Sequence, residues 1–529
     1  MSTQLLVGGR IYSPFAPDAT AMAVTDGVVA WVGEDRPGLA LHQGAEVVDL
    51  DGAFVTPAFV DTHVHTTATG LALIGLDLTD TRSLADCLQA VSEYAAREPG
   101  ALVWGQNWDE SAWPEGRAPT TSELDDAAPG RAIYLSRIDA HSAACSTVLR
   151  RASGDDVVGA DPELPLIAEA HHAARTTALE LLSPAGRQRA RIAALDHAAA
   201  HGVAAVHECA GPDISGRTDM AELLALEHGV EVRGYWGEAV TTADGARDLL
   251  AATGAHALGG DLFVDGSIGS HTAWLNQPYA DHEGCGRSYL DVDAIAAHVS
   301  ACTQAKIQAG FHVIGDAATD AVVEAFGRVV AELGGPAVAS RGHRLEHIEM
   351  VTEEQAAKLS SWGVIVSVQP VFDAYWGGES GLYSARLGRD RALALNPLAM
   401  MASAGVSLAI GSDSPVTPLE PWRGVRAAMS HRTPGSAISP RAAFSAATRG
   451  AWRAGGVRDG LAGTLVPGAP ASYAVWEAGE LVVSAPSDTV QRWSTDPRSR
   501  VPALPRLDAD TPDPTCLQTV HRGSTVFRA

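Results

Sequence analysis

The sequence predicts an α/β fold: a (β/α)8 TIM-like barrel with a small flanking β-sandwich domain built from both chain ends. Three observations predict it. From residue 55 onward, strand-length apolar runs alternate with helical segments, the rhythm of βαβ units and a parallel sheet. Histidines and acidic residues recur at the ends of those runs, where a barrel gathers side chains from all its strands. Short strands separated by turn residues occupy the first 55 residues and the stretch after 463.

Taken in order, residues 4–7, 21–25, 28–32 and 46–50 read as strands. Asp26-Gly27 between two apolar runs is a hairpin signal. So few strands make no core alone. Residues 102–108 and 132–138 are apolar strand candidates, and 109–130, with Pro114, Gly116, Pro119 and Pro129, reads as loop. A helix over 188–201 is stopped by Gly202 and followed by a strand over 203–206. A helix over 293–308 carries Ile295, Val299 and Cys302 on one face. A strand (311–314), a helix (about 317–333) and a strand (343–349) follow. Thr352 and Gln355 form a capping box that opens a helix ending near Gly363. A strand (364–368), a helix (397–404) and a strand (406–410) continue the alternation. Residues 473–477, 481–484, 515–521 and 525–528 are short strands, with a Pro/Asp-rich loop over 496–514. The expected division is 1–56 plus 463–529 as the composite β domain. Residues 57–462 form the barrel, with an insertion around 66–140.

The bulk numbers exclude several function classes. Thirty-eight basic against 63 acidic residues give a formal charge of −25, which argues against nucleic acid or an anionic membrane as partner. Six cysteines at 87, 145, 209, 285, 302 and 516 form no CxxC pair, so a reducing, cytoplasmic setting is expected. No signal peptide is visible and no apolar run is long enough to span a bilayer. The expected partner is a small-molecule substrate, and a homodimer is compatible with the chain.

The chemistry centres on Asp61-Thr62-His63-Val64-His65 at the end of an apolar run. Strand side chains alternate faces, so His63 and His65 point the same way. His312, His347 and Asp413 stand at later strand ends, with one more acidic residue from either Glu208 or Asp261. Imidazoles and carboxylates converging on one barrel mouth suit a divalent metal, zinc first, as one or two ions. Taken alone, a strand histidine is more often a hydrogen-bonded core residue, and Gly411-Ser-Asp413-Ser-Pro415 reads as an ordinary turn.

The set resembles the amidohydrolase superfamily, and within it the amidohydrolase family 3 branch that includes the N-substituted formamide deformylase-like proteins. The resemblance rests on Asp61-Thr-His63-Val-His65, Gly105-Gln-Asn-Trp108-Asp109, Arg137-Ile-Asp-Ala-His141-Ser142, Asp265-Gly-Ser-Ile-Gly-Ser-His271, His312-Val-Ile-Gly-Asp316, His347 and Gly411-Ser-Asp413-Ser-Pro415. It implies that His63, His65, His312 and His347 are metal ligands. Asp413 is implied as ligand and proton shuttle, and Trp108, His141, His271 and Asp265 as neighbours of the substrate. Three departures stand out. Pro57-Ala58 replaces the usual Pro-Gly, His271 stands where an arginine is frequent, and Asp261 replaces a lysine whose carboxylated form bridges two metals. An aspartate there is shorter than a carboxylated lysine, so Glu208 is expected to supply the missing carboxylate, with Asp261 as its rival.

The implied reaction is hydrolysis of a non-peptide carbon–nitrogen bond in an amide, formamide or cyclic amide. Asp413 serves as base then acid, and His347 or His141 supports the oxyanion. His141 is equally a residue that supports its neighbours. The competing readings are a deaminase or other hydrolase on the same fold, and a metal- or ligand-binding protein without turnover.

Overall fold

The computed structural model describes residues 3–98, 100, 102–483 and 502–529. Seven strands of the middle region are parallel and lie in two sheets. One pairs Phe59–Val64 with Val203–Ala210 and that strand with Glu231–Trp236. The other runs Gly310–Val313, Arg344–His347, Ile365–Val368, Ser407–Ile410. Isolated parallel bridges join the two sheets. Tyr235 pairs with Ala257, Leu258 with Ala309 and Phe263 with His312, while Val64 with Ser414 leads back to the first strand. Every one of these strands except the partly exposed Glu231–Trp236 and Ser407–Ile410 is buried along its whole length. That explains their near-continuous apolar runs.

Helices separate the strands, among them Pro184–Ala200, Val292–Ala305, Asp316–Leu333 and Glu353–Ser361. The Thr352–Gln355 capping box is formed in both directions. The helix expected to reach 308 stops at Ala305, because Lys306 adopts the left-handed conformation (φ 64°) that ends a helix.

The expected loop over 109–130 contains a helix, Thr121–Ala127, opened by a second capping box between Thr120 and Glu123. The region expected as an insertion around 66–140 contributes to a sheet that continues to Ile167. This five-stranded sheet has the order Leu166–Ile167, Ser142–Cys145, Ala132–Arg137, Leu102–Trp108, Leu76–Asp77, and is followed by the helix Ala168–Leu181.

The two chain ends meet. Arg10–Ile11, Phe54–Pro57, Tyr473–Glu477, Thr515–His521 and Ser524–Arg528 form one sheet. A second sheet holds Val28–Gly33, Ala21–Thr25, Thr3–Val7 and Glu46–Asp49, with the Asp26-Gly27 hairpin in place. Leu6, Met22, Val29, Val55, Tyr473 and Val475 share one buried cluster across these strands. Ser484 and residues 496–501, parts of an expected strand and loop, lie outside the described residues. Leu504–Pro505, expected as loop, pairs as a short strand with Leu481–Val482. Among the described residues, no helix is long and apolar enough to cross a membrane.

Candidate metal centre and active site

The site forms where the parallel strands end. Asp61 staples the first strand to the last, because its Oδ1 accepts the backbone N–H of His63 (3.1 Å) and of Ser412 (2.9 Å). The Asp413 amide donates to the His63 carbonyl at 2.8 Å. A Cβ on Gly411 would lie 2.6 Å from the His63 nitrogen, so only glycine permits this approach. Asp413 (φ 57°) and His347 (φ 69°) are held in left-handed backbone, strain of the kind that gathers at functional sites.

His63 Nε2 lies 3.3 Å from Asp261 Oδ1 and 3.4 Å from Asp413 Oδ1. His65 Nε2 lies 3.2 Å from Asp261 Oδ2 and 3.1 Å from Asp413 Oδ1. His63, Asp261 and His347 offer donor atoms within 4.8 Å of one another, and so do His63, His65 and Asp413. His63 Nε2, His347 Nε2, Asp261 Oδ1 and Asp413 Oδ1 are buried and make no directed hydrogen bond. Four unpartnered nitrogen and oxygen donors at this spacing fit a divalent cation.

Outer contacts fix which nitrogen faces inward. His63 Nδ1 donates to Glu346 Oε2 (3.0 Å), and His347 Nδ1 donates to Gln369 Oε1 (2.7 Å). Each bond leaves Nε2 turned to the site. Burial works to raise the Glu346 carboxyl, but the Arg344 guanidinium, 2.8 Å away, holds it below the usual range. Burial disfavours protonated His65, yet the Asp261 and Asp413 carboxylates outweigh it and push the imidazole up to about 9. The same negative pull would hold a metal ion.

Asp261, not Glu208, is the carboxylate beside both histidines. It reaches because the backbone is drawn inward. Gly260 (φ +71°) supplies a left-handed step just before it, and a Cβ on Gly237 would sit 2.6 Å from the Asp261 carbonyl oxygen. Glu208 instead accepts the Thr66 amide at 2.7 Å, at the start of the helix Thr66–Ile74. Among the described residues it joins no closely spaced donor set. His312 stands next to the donors, its ring 4.4 Å from that of His347, and lies outside those sets as well.

A family model described as the amidohydrolase family matches residues 46–527. The chain belongs to the amidohydrolase family. It is therefore a hydrolase of the class that acts on carbon–nitrogen bonds. It is 25% identical over 451 residues to the putative amidohydrolase YtcJ of Bacillus subtilis, covering 80% of this chain and 82% of that protein. It is 24% identical over 484 residues to the N-substituted formamide deformylase of Arthrobacter pascens, covering 81% and 83%. A metal-dependent hydrolase of Pyrococcus furiosus shares the fold with a TM-score of 0.68 at 24% identity, over 89% of this chain and 98% of that one.

In this amidohydrolase, two adjoining chambers open on the donors. They share Asp139, His141, His312, Asp413 and Val416. His141 therefore lines both chambers, and burial, with His312 nearby, pushes its pKa down and keeps it neutral. Three expected substrate neighbours are elsewhere. Trp108 is buried among Leu76, Val91 and Leu124, and its indole N–H donates to the Leu135 carbonyl at 2.8 Å. A large aromatic serves burial as readily as recognition, and here burial wins. His271 turns to Asp281 (3.0 Å) outside both chambers. Asp265 is fully buried and accepts the amides of Trp274, Ile314 and Gly315 at 2.9, 3.0 and 2.8 Å, so it fastens loops. Trp104 lines the first chamber and Trp376 the second.

Sequence reasoning left Glu346 as a residue that orients its neighbours or faces solvent, and missed Gln369 as an orienting group. Arg344 and Glu346 share one face of their strand by the two-residue period, a signal available in the sequence. Gln369 carried none.

Proposed function

We propose that this chain is a metal-dependent hydrolase of a non-peptide carbon–nitrogen bond in a small amide, N-substituted formamide or cyclic amide. The observation that carries the reading is the convergence of His63, His65, Asp261, His347 and Asp413, from three strand ends and the bridged segment 257–263, with inward atoms of His63, Asp261, His347 and Asp413 left unpartnered. These five residues would hold a divalent ion, zinc first, with His312 beside them. Similarity to a formamide deformylase supports formamides as the first substrates to try. The parallel strands read as a (β/α)8 barrel over 57–462. The strands of 1–56 and 463–529 read as one flanking β-sandwich domain, in keeping with their common buried cluster.

When bound, the ion acidifies a water and polarises the scissile carbonyl. Asp413 lines both chambers, so its carboxylate is placed to take a proton from the attacking water and return it to the leaving nitrogen. Glu346 and Gln369 keep two imidazoles in one orientation throughout. His141, neutral and in both chambers, is placed to donate a hydrogen bond to the oxyanion.

The test is a hydrolysis screen of formamides, amides and lactams with zinc-reconstituted protein, with metal content measured in parallel. Turnover that is lost with chelator and restored by zinc supports the reading. Stoichiometric metal without turnover of any member overturns formamides, amides and lactams as the substrate class.

A further inference from the structure

The end of the larger chamber formed by the inserted segment has a different character from the metal end. Arg175, on the helix Ala168–Leu181, lines it together with Tyr134 and Ser136. Arg175 Nη2 donates to the Ala140 carbonyl (3.1 Å) and to His171 Nδ1 (3.3 Å), while its Nε is buried without a partner. Among the described residues, no carboxylate lies within ion-pair distance of this guanidinium. The chamber's carboxylates are engaged elsewhere. Asp139 accepts from Ser267 and Ser270 and lies 3.0 Å from Arg137. Asp261 and Asp413 face the histidines, and Glu208 accepts the Thr66 amide.

The neighbouring hydrogen bonds fix one more donor. A guanidinium can only donate, so His171 Nδ1 must accept. Burial, with Arg175 beside it, holds the fully buried His171 neutral, which puts its single proton on Nε2. Nε2 then donates to Tyr134 Oη at 2.8 Å. Ser136 and Arg175 also stand beside the phenol oxygen, and its own proton can turn to Ser136 or to an acceptor in the chamber that Tyr134 lines. A guanidinium with no counter-ion and a phenol O–H therefore meet at one apolar-walled end, between Trp104, Leu179, Ile214 and Phe263. The unpartnered Nε of a guanidinium without a counter-ion, beside a phenol O–H, is matched by an anionic acceptor, and a fork-shaped guanidinium suits a carboxylate.

We propose that Arg175 and Tyr134 form a carboxylate-binding subsite, so that the substrate is an amide or formamide that carries a carboxylate away from the scissile bond. This rests on the hydrolase reading above.

The experiment compares para-(formamidomethyl)benzoate with its neutral carboxamide, para-(formamidomethyl)benzamide, in wild type, Arg175→Gln, Arg175→Lys and Tyr134→Phe, all zinc-loaded. Wild type should prefer the carboxylate in kcat/KM. Arg175→Gln should shrink that preference about ten-fold or more, mainly through KM, the scale of a lost charge-assisted hydrogen bond. Arg175→Lys should keep part of it, and Tyr134→Phe should lower it less than Arg175→Gln. Equal treatment of both probes by wild type, or the same preference in wild type and Arg175→Gln, overturns the subsite. If wild type turns over neither probe, the hydrolase reading is what has failed for these compounds, and calorimetry decides the subsite. Carboxylate binding to wild type that is lost in Arg175→Gln supports it. No binding to wild type, or equal binding to both, overturns it.

Discussion

His63 Nδ1 lies 3.0 Å from Glu346 Oε2, and both side chains are fully buried. Glu346 is also the carboxylate partner of Arg344, so one acid orients an inward-facing imidazole and neutralises a buried guanidinium. Glu346→Gln keeps an oxygen for His63 but removes the charge. Zinc affinity should fall about 10- to 100-fold, measured by competition with a chromogenic chelator. Unchanged affinity would mean that His63 is held by backbone packing alone.

Asp413→Asn should abolish turnover and leave the thermal unfolding midpoint close to wild type. An amide can still occupy the position, but it cannot carry a proton. A variant with near wild-type kcat would remove Asp413 from proton transfer.

Asp261→Asn should lower zinc content strongly, whereas Glu208→Gln should retain it. The geometry motivating this is the pair of contacts from Asp261 to His63 and His65, against the single Glu208 contact to the Thr66 amide. Elemental analysis of both variants after zinc loading and desalting checks it. The reverse pattern would return the bridging role to Glu208.

Trp108→Ala should cost about 3–5 kcal/mol of stability, the usual penalty for emptying a buried aromatic site. The loss is read from denaturant unfolding. A rise in KM with unaltered stability would place the indole against the substrate after all.

The two-residue spacing of His63 and His65 was legible because strand geometry acts over two residues, and their rings end 5.4 Å apart. The capping box at Thr352 was legible for the same local reason, and that at Thr120 was hidden only by the surrounding prolines and glycines. Asp261 was misjudged because its reach depends on Gly237 and Gly260, and side-chain length alone says nothing of where a backbone sits. Trp108 failed because apolar area has no preferred purpose. Gln369 was invisible, since its partner His347 is brought to it only by the fold.

Glu231 gives a pH prediction away from the site. It lies 2.8 Å from Arg233, 3.1 Å from Arg522 and 3.3 Å from His521, tying a parallel strand to the C-terminal hairpin. Burial opposes its charge, but His521 and the arginines prevail and lower the carboxyl from 4.5 to about 2. Its folded pKa lies below the unfolded one, so its stabilisation is complete above pH 4.5 and drains away as pH falls toward 2. Glu231→Gln should lose on the order of 2 kcal/mol near neutrality and show a flatter decline across that acid window. Parallel acid limbs in wild type and variant would assign the acid sensitivity to other carboxylates.

Pro57 pairs with Tyr473, and two residues later the chain enters the strand that carries His63. The anchor of that strand is thus sewn to a segment translated hundreds of residues afterwards. Pairings so distant along the chain close slowly. A nascent chain displays the strand Phe54–Pro57 long before its partner Tyr473–Glu477 leaves the ribosome, so the anchor of the His63 strand is set only when synthesis is nearly complete.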